Sequence, residues 1–138
     1  MDKNKAKEFL SFHSTRNEDI DNLKWEKGFL GSLRPFCGEL YEENFFEVME
    51  CLRTLRNKFS GAAIERGMIS DIVAIIHYTR VWSAPDGMLG SNHLLTEEQT
   101  KHLLMWTDII ESCFMFLLEG DAEDAFIGYE DYLDGTYF

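Results

Sequence analysis

The chain has 138 residues, 45 % of them hydrophobic and including 11 Phe, 5 Tyr and 3 Trp. That is enough apolar area for one core, which excludes a disordered chain and leaves little length for a second domain. Its net charge of -12 opposes binding to phosphate backbones and anionic lipid, which recruit Lys and Arg, so no direct nucleic-acid or membrane contact is expected.

The opening residues, Met1 to Lys5, have no apolar run behind them, so no signal peptide is expected and a cytoplasmic protein is. Lys5 to Phe12 has helical composition, with Phe9, Leu10 and Phe12 as anchors. Asn17-Glu18-Asp19-Ile20 opens a second segment running to about Leu33. Gly28 and Gly31 each cost about 1 kcal/mol against Ala in a helix, so two short helices are the alternative there.

From Glu39 to Phe59 the apolar residues Tyr41, Phe45, Val48, Met49, Leu52, Leu55 and Phe59 recur at intervals of three and four, which predicts an amphipathic helix. Arg53, Arg56 and Lys58 near its end suit the helix dipole and are also available as ion-pair partners for an acidic tail. Ser60 is placed to cap the next helix, which carries Ile64, Met68, Ile69, Ile72, Val73, Ile75, Ile76 and Trp82, with Gly67 as a point of division. A buried strand over Ile72 to Tyr78 competes, because β-branched residues are dense there.

Ser83-Ala84-Pro85-Asp86-Gly87 reads as a turn, followed by a loop through Gly90 to His93. Thr96 with Gln99 three residues on makes a capping box for a long helix ending at Gly120. Asp121 can cap a last piece carrying Ala125, Phe126 and Leu133, with Glu123 and Asp124 in its first turn. With only Pro35 and Pro85 to interrupt it, the whole predicts an all-α fold: a single acidic domain over 1–138, a compact bundle of five or six helices.

The charge is uneven. Residues 1–58 hold 11 acidic and 10 basic residues, whereas 59–138 hold 14 acidic residues against Arg66, Arg80 and Lys101. After Lys101 the carboxylates Glu119, Asp121, Glu123, Asp124, Glu130, Asp131 and Asp134 occur without one basic residue. Cys37, Cys51 and Cys113 lack close-pair spacing and read as reduced, mostly buried small hydrophobes.

Specific chemistry is scarce. No two His stand four apart around a Glu, Gly28 and Gly31 lack the rest of a phosphate loop, and Asp121-x-Glu123-Asp124 lacks the later residues of a calcium loop. Asp108 and Glu111 share a helix face without the Glu-x-x-His elements of a di-iron bundle. His102 with Glu98 reads as an ordinary surface pair, and His77 as a core imidazole bonded to Asp71 or Asp108. No cofactor or metal is therefore expected, and no enzyme.

The C-terminus carries the functional expectation. Glu123, Asp124, Tyr129, Glu130, Asp131, Tyr132, Asp134 and Tyr137 interleave rings with carboxylates, the composition of a polar protein interface. They are the expected partner-binding residues of a stoichiometric inhibitor, of the immunity-protein or antitoxin kind, acting on a basic partner such as a nuclease toxin. The competing readings are an adaptor subunit with an exposed apolar patch on the Ile72 to Trp82 helix, and a small helical enzyme using His77 or His102.

Overall fold

Lys3 to His13 forms the first helix, α1, because Asp2 accepts the Lys5 backbone N–H at 2.8 Å and Ala6 and Leu10 fall on one buried face. It ends with Thr15 at φ 60, where the N–H groups of Thr15 and Arg16 return to the carbonyls of Phe12 and Ser11. The computed structural model describes residues 1–137; among them there are α-helices and short 3-10 turns and no strand.

The segment expected from Asn17 to Leu33 is broken. Helix α2 covers only Leu23–Lys27, capped by Asn22, and a 3-10 turn follows at Gly31–Leu33. The break comes from close packing: a Cβ on Gly31 would stand 2.0 Å from the Trp25 carbonyl oxygen. Helix α3, Glu42–Leu55, buries Phe45, Val48, Met49, Leu52 and Leu55, and a 3-10 turn extends it over Arg56–Phe59.

Helix α4, Arg66–Ser83, starts later than Ser60 predicts. The Ser60 hydroxyl donates to the Asn57 carbonyl and closes the preceding turn, so it is not available as a cap. Gly67 lies in the first turn of α4 and does not divide it. Ile72 to Tyr78 is helical, with Ile72, Ile75 and Ile76 buried and Val73 and His77 exposed.

A short helix, α5 at Met88–Ser91, occupies part of the expected loop, held by the fully buried Leu89. Helix α6, Glu97–Leu118, begins with both halves of the Thr96–Gln99 capping box at 3.0 Å. Gly120 at φ 82 ends it, with the Asp121 N–H bonded back to Phe116 and the Gly120 N–H to Leu117. The last helix, α7, is Ile127–Leu133 and starts after the Asp121 turn.

Helix α1 packs on α3 and α4, while α6 packs on α3, α4 and α7. The buried side chains form one cluster from Ala6 to Tyr129, the helix-bundle arrangement that the patterning predicts. Arg80 clamps α4 to α6, donating to Glu111 at 2.6 and 2.8 Å and to Asp108 at 2.9 Å. Asp108 and Glu111 thereby share one guanidinium, which leaves a net charge of -1 on the cluster.

Candidate functional site

Helix α7 is two-faced. Tyr129 and Tyr132, three residues apart, point at the core, while Ile127, Glu130 and Asp134 face outward. Tyr129 is 3 % exposed and meets Phe45 edge-on at 5.7 Å. Burial, with the Glu50 charge adding to it, pushes its phenol up to about 12. Its ring therefore belongs to the core, which corrects its assignment to the partner-binding set; the helical spacing of Phe126, Tyr129 and Leu133 was the available signal, although Leu133 itself remains exposed.

Tyr132 is half-buried. Its hydroxyl accepts the Trp106 Nε1–H at 2.9 Å and donates to Glu42, and its ring stands edge-on to Phe45 at 5.1 Å. It joins α7 to α3 and α6, so its polar tip is occupied within the chain. Burial and the Glu42 hydrogen bond raise its phenol above the ordinary value. Tyr137 is also half-buried, and its ring lies 3.7 Å from where a Cβ on Gly128 would stand.

Glu130 pairs with Arg53 at 2.6 Å, so one of the three basic residues at the end of α3 does serve as a partner for the acidic tail. The Arg53 guanidinium also lies over the Phe126 and Tyr129 rings, at 5.0 and 5.6 Å. Of the seven carboxylates from Glu119 to Asp134, the other six have no Lys or Arg nitrogen within 4 Å among the described residues. Crowding is visible at Asp124, whose carboxyl is raised from its ordinary value by the neighbouring Asp121 charge and hydrogen bond.

Exposed apolar side chains border these carboxylates. Met115, Phe116 and Leu118 project from the last turns of α6, and Ile127 and Leu133 from α7. Between the two helices lies a cleft of about 300 Å³, lined by Ile109, Phe116, Asp124, Ile127, Gly128 and Tyr137 among others. Of the residues expected here, the surface thus presents Glu123, Asp124, Asp131 and Asp134, with Tyr137 at the edge of the cleft.

Of the histidines, His102 falls in its expected place and His77 does not. His77 is exposed, its ring centre 5.1 Å from that of Tyr78, so it is not a core imidazole. His102 sits 3.6 Å from Glu98 as an exposed one-turn pair. His13 is the buried one: its Nδ1 accepts the Phe29 N–H at 2.9 Å and its Nε2 faces Glu47 at 2.8 Å. Both ring nitrogens are occupied, which makes His13 a tie between α1, the Phe29 segment and α3.

His13, with Lys24, holds the Glu47 carboxyl down at about 2 against the opposing effect of burial. Nothing local in the sequence marks this triad, since its members are 11 to 34 residues apart. Cys51 and Cys113 are buried, with thiols pushed up to about 12 by desolvation, whereas Cys37 is exposed. Among the described residues no group of three or more His, Cys, Asp or Glu is arranged to hold a metal ion, and no helix is long and apolar enough to cross a membrane.

No protein-family model, curated protein or solved structure matches the chain. The site is therefore read from its own geometry: a small all-α domain whose acidic, partly apolar C-terminal face is compatible with protein–protein interaction.

Proposed function

We propose that this chain is a stoichiometric inhibitor that binds a basic protein, a nuclease toxin being the natural class, through the surface made by the end of α6 and the outer face of α7. The observation that carries this reading is the set of six carboxylates without cation partners among the described residues, interleaved with exposed Met115, Phe116, Leu118, Ile127 and Leu133. Crowded carboxylates repel one another until an outside cation arrives, so Lys or Arg on a partner gains electrostatic energy on contact while the apolar side chains exclude water around it. Arginines that hold substrate phosphate in a nuclease groove present such cations. The long-range field of the same face accelerates encounter.

The test is a pull-down at physiological salt with the Glu123→Lys, Asp124→Lys, Asp134→Lys triple variant as control. Glu130 is spared because its pair with Arg53 supports the fold. A basic protein retained at one to one, lost with the variant and inactivated by the wild-type chain, supports the proposal. Its association rate should fall about tenfold or more for the variant at low salt and less at high salt. Retention that ignores both charge reversal and salt sinks it.

The adaptor reading draws on a separate feature, the stripe of exposed Val73, His77 and Val81 along α4. It predicts a permanent complex or self-association that Val73→Asp disrupts, measured by light scattering.

A further inference from the structure

A second cleft, of about 390 Å³, opens between the loop after α1, the α2 region and the C-terminal half of α4, and shares no residue with the acidic face. It is lined by Arg16, Trp25, Gly31, Arg34, Tyr78 and Trp82, with Thr15 and Leu30. In a chain of net charge -12 it gathers two guanidiniums, and neither has a carboxylate within 4 Å among the described residues. Asp71, buried behind it, is hydrogen-bonded to the Ser14 hydroxyl at 2.8 Å and feels the Arg16 charge only at longer range.

The cleft is pre-organised. Thr15 takes a left-handed conformation that a β-branched residue adopts at a cost, and the turn so formed delivers Arg16 to the cleft mouth. Arg16 Nη1 donates to the Ser14 carbonyl at 2.7 Å, which fixes the guanidinium while its other N–H groups meet no acceptor among the described residues. The Arg16 guanidinium lies 5.4 Å from the Tyr78 ring centre, the Arg34 guanidinium 5.8 Å from that of Trp82, and the two rings are 5.5 Å apart. Trp25 adds a buried Nε1–H with no acceptor among the described residues.

We propose that this cleft binds a nucleoside monophosphate. Two guanidiniums match the nearly two negative charges of a phosphomonoester better than the single charge of a carboxylate, and their planar forks suit its oxygens. The half-buried Trp82 and Tyr78 rings and the guanidinium planes beside them offer flat faces for a base, a mode that tolerates any base because each has a π-face. The cleft volume lies within the range of small-molecule sites. A long nucleic acid would spread further phosphates over acidic surface, whereas a single phosphate calls for no cation beyond the two that line the cleft.

The experiment is calorimetric titration of the full chain with AMP, adenosine and inorganic phosphate, repeated with Arg34→Gln and Trp82→Leu, and with Arg56→Gln as a remote control. Saturable one-to-one AMP binding tighter than about 1 mM is expected, at least about tenfold weaker for adenosine or phosphate alone. Arg34→Gln and Trp82→Leu should each weaken AMP about tenfold, with Arg56→Gln unchanged. The wild-type panel decides alone if a variant misfolds: absence of AMP binding, or equal binding of phosphate and AMP, overturns the proposal. Binding that survives both cleft variants in folded form overturns it as well.

Discussion

Removing the Tyr132 hydroxyl tests how the C-terminal helix is held. In Tyr132→Phe the ring keeps its edge-on contact with Phe45, so packing is conserved and only the relay from Trp106 through the hydroxyl to Glu42 is broken. Glu42 is exposed and returns to water at little cost. The Trp106 indole does not, since that residue is only 4 % exposed, and an indole N–H left without an acceptor there costs about 1 to 3 kcal/mol. The expected loss is thus about 2 kcal/mol, equivalent to about 5 to 8 °C in the thermal midpoint of a domain this size.

The assay is urea unfolding followed by circular dichroism, run as a double-mutant cycle with Trp106→Phe. In the Trp106→Phe background there is no indole N–H to strand, so Tyr132→Phe should then cost less than about 1 kcal/mol at unchanged m value. A loss below about 0.5 kcal/mol in the native background, or the same loss in both backgrounds, refutes the relay. Trp106→Ala, which also empties the site stacked on Phe45 at 5.8 Å, should cost about 3 to 5 kcal/mol.

Glu47 makes stability depend on acid. Its folded carboxyl titrates at about 2 against an ordinary 4.5, so its contribution is complete above the unfolded value and is lost as pH falls from there through 2. Unfolding free energies from urea titrations at pH 5 and pH 3 should differ more for the wild type than for Glu47→Gln, by on the order of 1 kcal/mol after allowing for partial solvent screening of the half-buried group; equal pH slopes would count against the His13–Glu47–Lys24 tie. Gly31→Ala should destabilise by on the order of 3 kcal/mol or more, because its Cβ meets backbone oxygen at 2.0 Å and not a movable side chain. An unchanged unfolding midpoint would show that the Trp25 turn yields freely. Thr15→Gly works in the other direction, relieving the left-handed strain at φ 60 for a net gain of about 0.5 to 1 kcal/mol after the added flexibility of the unfolded chain. A lower midpoint for that variant would mean that the Thr15 side chain contributes more than its backbone costs.

The long helices were legible in the sequence because their signals are local. The three-and-four spacing from Phe45 to Leu55, the Thr96–Gln99 box and the stop at Gly120 each involve residues within a turn or so of one another. Where the local signal misled, a contact that residue type alone does not announce had intervened. Ser60 closes the turn behind it, Gly31 yields to the Trp25 carbonyl, and Leu89 pulls four residues of an expected loop into a helix.

An all-α chain with its negative charge gathered towards the C-terminus follows from residue order alone, since charge count and helical period need no knowledge of what packs where. Which side chains of that region are left for solvent is a matter of packing: Tyr129 turns into the core, Tyr132 is engaged by Trp106 and Glu42, and Glu130 finds Arg53 77 residues away. The same holds for the His13–Glu47 tie and for the cleft that brings Arg16 and Arg34 to Tyr78 and Trp82. Helical period specifies a face, but which face meets which neighbour depends on how separate elements fill one core, and that packing is settled by shape and volume over the whole chain.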